Sequence, residues 1–540
     1  MVARAVPPAQ LPEKPRARLY NVGLTKPLLV QSPRPWLLGA GSVVAVLAAV
    51  KLLLHLYAGR HYGYFVDELY YLACAQHLDW GYVDQPPLIA LIARIARSLL
   101  GDSLPAIRLF PALAGAGMVL LTGLIARELG GRRFAQWLAA LSFLLAPGFL
   151  ALDHFLSMNA FEPLFWMGCA WLVARIIRTG DARLWLWFGV LAGIGLENKH
   201  SMLIFGFGLV AGLVLTRERR ILHTRWLWIG GLAAFVIFLP NLLWNIQHHF
   251  PFLELQENIR RNGRNVGLSP LNFFGQEVLA MLPLTLPIWL AGLWYLLFQR
   301  GGRTFRALAW AWLITAGLIV TLNPRVYYLF PAFPLLFAAG GVAWERWLAA
   351  PGLRWIKAAY AALMVLMASL LLPSALPVLP ALTYIRYSTA LDLQPPRIET
   401  FRLGPMPQLY ADQFGWEEMA ATVAGVFHSL PPEVRAKTCI FGQNYGQAGA
   451  VDLFGPRYGL PRAISGHQSY FLWGPQGCTG ESVIVMDGRR QTLEREYAAV
   501  RQAAHVEHPY SMPYEHFDIF YCQGLKQPVS EAWPKVKRWE

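Results

Sequence analysis

Of the 540 residues, 55% are hydrophobic and 15% charged, against roughly a quarter charged in an average soluble domain. With 21 Trp, 21 Tyr and 30 Phe and a mean hydropathy of +0.37, the chain carries more apolar surface than a soluble or disordered protein can hide. The net charge of +15 would suggest nucleic acid in a soluble protein; in a polytopic membrane protein it marks Lys and Arg on cytoplasmic loops, and no nucleic-acid partner is expected.

Residues 1–35 are polar and basic, with Lys14, Arg16, Arg18, Lys26 and Arg34, and read as a cytoplasmic segment. The apolar run 36–58 reaches the ~20 residues a bilayer requires. It is too long for a signal-peptide core, so it reads as an uncleaved first span. Further runs lie at about 105–127, 134–150, 160–177, 184–197, 201–216, 226–244, 274–298, 307–322, 326–348 and 356–379. These predict about eleven spans in a transmembrane domain covering 36–380, whose first outer loop is 59–104. With the N-terminus inside, every second connection is Arg-rich: Arg127, Arg132 and Arg133; Arg175, Arg178 and Arg183; Arg217, Arg219, Arg220 and Arg225; Arg300, Arg303 and Arg306; Arg346, Arg354 and Lys357. That alternation obeys the positive-inside rule and puts 381–540 outside.

This tail alternates helical and strand patterns. Residues 416–430 and 490–504 predict helices, while 438–442, 482–488 and 517–524 predict short buried strands, together a small α/β domain. Five Cys are too few for a disulfide scaffold, and no pair has metal-ligand spacing. An extracytoplasmic domain permits a disulfide, and Cys478–Cys522 is the expected pair.

Several polar residues stand out against the apolar background. Residues 65–78 form an aromatic-rich amphipathic helix expected at the membrane interface, with Asp67 and Glu68 near its start. Acids there also complement a helix dipole, so a capping role stands beside a chemical one. Asp79 and Asp84 bracket Trp80 and Tyr82 ahead of Pro86 and Pro87, a turn by composition. The next outer loop, 150–163, carries Asp153, His154, Asn159 and Glu162, with Glu162 at or just inside a span. An ionisable residue at such a depth is a functional candidate, or else a snorkelling or capping side chain.

Glu197, Asn198, Lys199 and His200 interrupt an apolar stretch at a tight outer hairpin. A Lys on a side otherwise poor in cations suits an anionic group such as phosphate, and Arg325 holds the equivalent place between two later spans. The loop 245–273 adds His248, His249, Arg260, Arg261 and Arg264, for which a plain loop reading suffices, with anion binding as the alternative. No His spacing marks a zinc site. Acids could act as general bases or metal ligands, and cations could hold a leaving phosphate. A transporter or flippase for a lipid-linked or anionic substrate would use the same set for proton coupling and anion binding. Against it stands the lack of repeated halves.

The stretch FVDELYYLACAQHLDWGYVDQPPLIALIARI (65–95) resembles the first outer loop of the GT-C glycosyltransferases related to protein O-mannosyltransferases and the bacterial aminoarabinose transferase. SMNAFEPLFW (157–166), GIGLENKHSMLIFG (193–206) and PRVYYLFPAFPLL (324–336) resemble later family segments in the same order, with Asn159 where the family has Asp. The resemblance implies a transferase taking a sugar from a polyprenyl-phosphate donor to a hydroxyl of a protein, lipid or glycan acceptor, with inversion. The reaction would occur at the outer face of the bacterial plasma membrane, among membrane lipids.

Asp67 would then be the general base, supported by Glu68. Lys199, Arg325, Tyr327 and Tyr328 would hold the lipid phosphate, and Asp84, Asn159 and Glu162 would complete the substrate site. A divalent ion shared by Asp67, Glu68 and Glu162 stays open. No nucleotide cofactor is expected, since no G-x-x-x-x-G-K-[ST] or helix-opening G-x-G-x-x-G occurs.

Overall fold

A computed structural model describes residues 39–322, 325–393 and 399–540; the basic segment 1–35 lies outside them. In hydrocarbon every backbone polar group must be satisfied within the chain, so the apolar runs fold as helices. In order these are α1 (Ala40–Ala58), α2 (Val66–Cys74), α3 (Leu88–Leu100), α4 (Leu104–Glu128), α5 (Arg133–Leu145), α6 (Pro147–Leu152), α7 (Met158–Thr179), α8 (Leu184–Asn198) and α9 (Met202–Val214). There follow α10 (Arg225–Gln247), α11 (Pro251–Arg261), α12 (Pro270–Ala280), α13 (Leu286–Phe298), α14 (Arg306–Leu322), α15 (Phe333–Trp347), α16 (Arg354–Ala375), α17 (Ala381–Ala390) and α18 (Gln408–Ala411).

Among the described residues, seven helical segments are long and apolar enough to cross a membrane; α12 with α13 would make an eighth, and α5, α8 and α9 are apolar but shorter. The predicted run 274–298 is not one straight helix: its two halves meet at 99°. Leu282 takes a positive φ of 69° and Pro283 follows. Proline has no N–H for the helical ladder and pushes its predecessor out of helical geometry, so the chain turns there.

The segment containing α15 is the centre of the bundle and is mostly buried, whereas α10 and α16 are mostly exposed and face outward. Close helix approach rests on small residues: a Cβ added to Gly189 would lie 1.9 Å from the Gly230 carbonyl oxygen, so α8 and α10 meet backbone to backbone. Lys51 on α1 is buried and paired with Asp153 at 2.8 Å. The Arg-rich helix ends gather together. Arg178 pairs with Glu128 at 2.6 Å, Tyr295 Oη donates to the Leu129 carbonyl at 2.9 Å, and Glu345 accepts from the Arg132 N–H at 2.7 Å.

The C-terminal domain begins with α19 (Trp416–His428) and α20 (Pro432–Arg435). Its strands are β1 (Thr438–Gly442), β2 (Ala463–Ser465), β3 (Ser482–Met486), β4 (Tyr497–Val506) and β5 (Phe517–Leu525), in the order β2-β1-β3-β5-β4. β1 lies parallel to β2 and β3, while β5 runs antiparallel to β3 and β4. Helix α21 (Tyr445–Phe454) makes the crossover from β1 to β2.

Two sequence expectations fail here. The helix expected over 490–504 ends at Glu496, and Tyr497–Val506 is the edge strand β4. Pairing with β5, from Tyr497 opposite Leu525 to Val506 opposite Phe517, overrides the helical propensity of its alanines. The disulfide is Cys439–Cys478, not Cys478–Cys522. Cys439 and Cys522 flank Val483 from opposite sides across the sheet, and the loop before β3 brings Cys478 to the β1 side, 5.8 Å between Cα atoms. Cys522 remains a buried free thiol.

The helix expected to lie at the lipid interface does not. In α2, residues Leu69 through Cys74 are all buried and share one core with Trp416, Met419, Ala448 and Val451 of the C-terminal domain. Its aromatic side chains therefore serve the junction between bundle and domain.

Candidate active site

Helix α2 starts at Phe65, whose extended backbone (φ −70°, ψ 145°) precedes Val66. Glu68 Oε2 accepts from the Phe65 N–H at 2.9 Å, closing the first turn on itself. The same carboxylate accepts the Leu156 N–H at 2.8 Å and two guanidinium bonds from Arg108, at 3.0 and 2.8 Å. Glu68 is fully buried and Arg108 is 2% exposed. Every Glu68 lone pair is thus occupied inside the protein. Its neighbour Asp67 instead lines a cavity of about 810 Å³.

That cavity gathers most of the sequence candidates: Asp67, Asp84, Asn159, Lys199, Arg325, Tyr327 and Tyr328 all line it. Lys199 follows directly on α8, where its Nζ donates to Asn159 Oδ1 at 2.8 Å and to Glu162 Oε2 at 2.9 Å. The ammonium also lies 4.1 Å from the Tyr328 ring centroid and 5.4 Å from that of Tyr327. Glu162 stands behind Lys199 outside the cavity lining, so it acts on the site through that ion pair. The neutral Asn159 still meets the cation.

Across the cavity, Arg325 Nε donates to Asn265 Oδ1 at 3.1 Å and its guanidinium pairs with Glu399. Arg264 shares the same carboxylate oxygen at 3.0 Å and donates to the Glu540 carbonyl at 2.9 Å. One buried Glu399 thus orients two arginines, and the pair keeps one positive charge in excess of it. Of the loop cluster 245–273, Arg260 and Arg264 line the cavity; His248, His249 and Arg261 do not.

The 79–87 turn is fastened to α10. Asp79 Oδ2 accepts from Trp244 Nε1 at 2.8 Å, and Asn241 Nδ2 donates to the Trp80 carbonyl at 2.7 Å. A Cβ on Gly81 would fall 2.4 Å from the Trp244 ring, so only glycine lets the turn lie this close. Clamped in this way, the turn presents Asp84 to the cavity, where Oδ1 accepts from Tyr70 Oη at 2.9 Å.

Electrostatics separates these acids from surface carboxylates. Burial raises the Asp67 pKa above the ordinary value; the Tyr445 hydrogen bond and the charges of Arg325 and Arg264 pull it back, and Glu399 opposes them. Burial, with Asp67 adding to it against the Tyr70 bond, lifts Asp84 to about 7. Two acids in one cavity with raised proton affinity are the expected dress of proton-transfer groups.

The carboxylates Asp67, Glu68 and Glu162 do not converge, because Glu68 faces Arg108 and Glu162 faces Lys199. Among the described residues, no group of three His, Cys, Asp or Glu side chains is arranged to hold a metal ion. Two participants escape the sequence reading: Glu399, and Tyr445, whose Oη donates to Asp67 Oδ1 at 2.7 Å. Tyr445 lies 378 residues along the chain from Asp67, and no local pattern connects them. For Arg264 the signal was charge on the cation-poor side, the same signal that picked out Arg325.

Residues 84–244 match the family described as dolichyl-phosphate-mannose-protein mannosyltransferase. The lipid A galacturonosyltransferase RgtD of Rhizobium johnstonii is 28% identical over 320 residues, a stretch covering 58% of this chain and 66% of that protein's length. Among solved structures, ArnT from Cupriavidus metallidurans bound to undecaprenyl phosphate superposes with a TM-score of 0.57 at 16% identity, over 88% of this chain and 97% of that one. The arabinofuranosyltransferase AftD from Mycobacteria gives 0.50 at 15% identity, over 89% of this chain and 40% of that one. The chain is thus similar in sequence to a mannosyltransferase family over residues 84–244 and to a galacturonosyltransferase over 320 residues, and it shares its fold with ArnT.

Proposed function

We propose that the protein transfers a sugar from a polyprenyl-phosphate donor to a hydroxyl acceptor at the outer face of a bacterial inner membrane, with inversion at the anomeric carbon. The observation that carries this reading is the meeting of Asp67, Lys199 and Arg325 in one cavity at the bundle–domain junction. The acceptor oxygen attacks the anomeric carbon from the side opposite the phosphate. The bond from that carbon to the phosphate oxygen breaks and its electron pair leaves with the phosphate. Asp67 takes the hydroxyl proton, a contribution of about 10²–10⁴-fold for a positioned base. Lys199 and the Arg264–Arg325 pair hold the growing negative charge on the phosphate, fixed in advance by Glu162 and Glu399. Tyr327 and Tyr328 flank Lys199 as phosphate-side hydroxyls, and Asp84 and Asn159 complete the substrate wall.

Sidedness follows from the charge pattern. The Arg-rich helix ends lie in the cytoplasm, α5, α8 and α9 cross together with the longer helices to give eleven spans, and the cavity and C-terminal domain lie outside. RgtD's name favours an acidic hexose as the sugar and a lipid A glycan as the acceptor. The test is direct. Purified protein is incubated with polyprenyl-phosphate radiolabelled in a galacturonosyl group, together with lipid A. Release of lipid phosphate and label on the acceptor support the reading; passage of intact donor across a vesicle without cleavage marks a transporter and refutes it.

A further inference from the structure

Helix α21 of the C-terminal domain lies against α2 through two glycines. A Cβ on Gly446 would meet Val66 Cγ2 at 2.5 Å, and one on Gly449 would meet the Leu69 backbone at 3.0 Å. This approach brings Tyr445, the first residue of α21, over the start of α2, where its hydroxyl donates to Asp67 Oδ1 at 2.7 Å. The phenol has little freedom. Its ring stacks on His467 with 4.8 Å between centroids and 13° between planes, and contacts the Tyr70 ring at 4.8 Å. The Tyr445 N–H donates to His467 Nδ1 at 3.1 Å. His467 stays neutral, its pKa driven to about 3 by burial and then by Arg538 and Arg264.

We infer that Tyr445 is a positioning residue for the reaction proposed above, supplied by the C-terminal domain, which orients the Asp67 carboxylate and sets the pH at which it can accept a proton. The inference rests on Asp67 being the general base. A phenol that donates to one carboxylate oxygen leaves the other free to face the acceptor hydroxyl. It also favours the ionised form, because the bond is made to the charged state. Around Asp67 stand Arg325 and Arg264 with Glu399, Asp84 from the 79–87 turn, Tyr71 on its own helix, and Asp412 ahead of α19. Removing the Tyr445 hydroxyl alters none of these side chains, and the Asp67→Asn background separates its effect through Asp67 from one through Asp84.

The experiment compares Tyr445→Phe, Asp67→Asn and the double variant in the full-length protein, with kcat and donor KM measured against pH. In Tyr445→Phe the acidic limb of kcat moves up by about one pH unit, donor KM stays within about twofold, and the melting temperature is retained. In the Asp67→Asn background the Tyr445 change has no further effect. An unmoved acidic limb in Tyr445→Phe, with Asp67→Asn inactive, overturns the role of Tyr445 alone. An Asp67→Asn enzyme with normal kcat overturns the base assignment, and this inference with it.

Discussion

Lys199 and Glu162 form a buried ion pair, Nζ to Oε2 at 2.9 Å, with 9% and 3% of their side chains exposed. A cation so placed is held toward the cavity by an acid that does not itself enter it. Replacing Lys199 with Ala removes the charge proposed to meet the donor phosphate, and donor binding should weaken about tenfold or more. Glu162→Gln keeps the cation and should weaken it less. Titration with polyprenyl phosphate, followed by tryptophan fluorescence, orders the two variants.

Asp67→Asn should lower kcat by about 10²–10⁴-fold while leaving the melting temperature near that of the parent. Burial raises the pKa of this acid, and a base works only when deprotonated. The rate of the parent enzyme should therefore rise with pH along a limb above the ordinary aspartate range. A rate profile from acid to neutral pH with saturating donor checks it.

Glu68 and Arg108 are both buried and joined at 2.8 Å. Arg108→Leu strands Glu68 among backbone groups and should cost about 3–5 kcal/mol of stability. Changing both members, to Glu68→Gln with Arg108→Leu, should recover part of that loss. Thermal unfolding in detergent measures the difference, and the two single variants with the double one give the coupling directly.

The Cys439–Cys478 bridge closes a separation of 39 residues and should stabilise the C-terminal domain by about 2–4 kcal/mol. Peptide mapping without reductant should link these two and find Cys522 alkylated only after unfolding. Cys522→Ser should leave the link intact.

Glu515 in the C-terminal domain holds its proton up to about 8, because burial disfavours the carboxylate and outweighs the bonds from Gln447 and Asn444. Between the ordinary value of 4.5 and about 8, the folded state carries a proton that the unfolded chain has lost. The contribution of this group to stability therefore falls as pH rises through that window and is constant below it. Glu515→Gln should flatten the pH dependence of the melting temperature over the same range.

Which parts of the site could be read from sequence follows from the range of the forces involved. Apolar runs and Arg-rich connections are one-dimensional signals, and the runs fold as helices because bilayer-like burial leaves the backbone no other way to satisfy itself, although 134–150 and 274–298 each break into two. Lys199 and Arg325 stood out as cations in the wrong place, and Asp67 as an acid at a helix start. The family resemblance implies that Glu68 supports Asp67, yet one step along a helix turns a side chain by about 100°, and that turn sends Glu68 to Arg108 and Asp67 to the cavity.

The high apolar content and the excess of basic residues by themselves determined a membrane protein with a polar tail and one face poor in cations. Only the tertiary structure decided what those few cations meet. Glu399, 74 residues from Arg325, and Tyr445, 378 residues from Asp67, reach the site through packing between domains, where shape complementarity and close glycine contact set the neighbours. Strand β4 and the cysteine pairing were decided in the same way, since a sheet's edge and a loop's reach are properties of the assembled domain and not of the local chain.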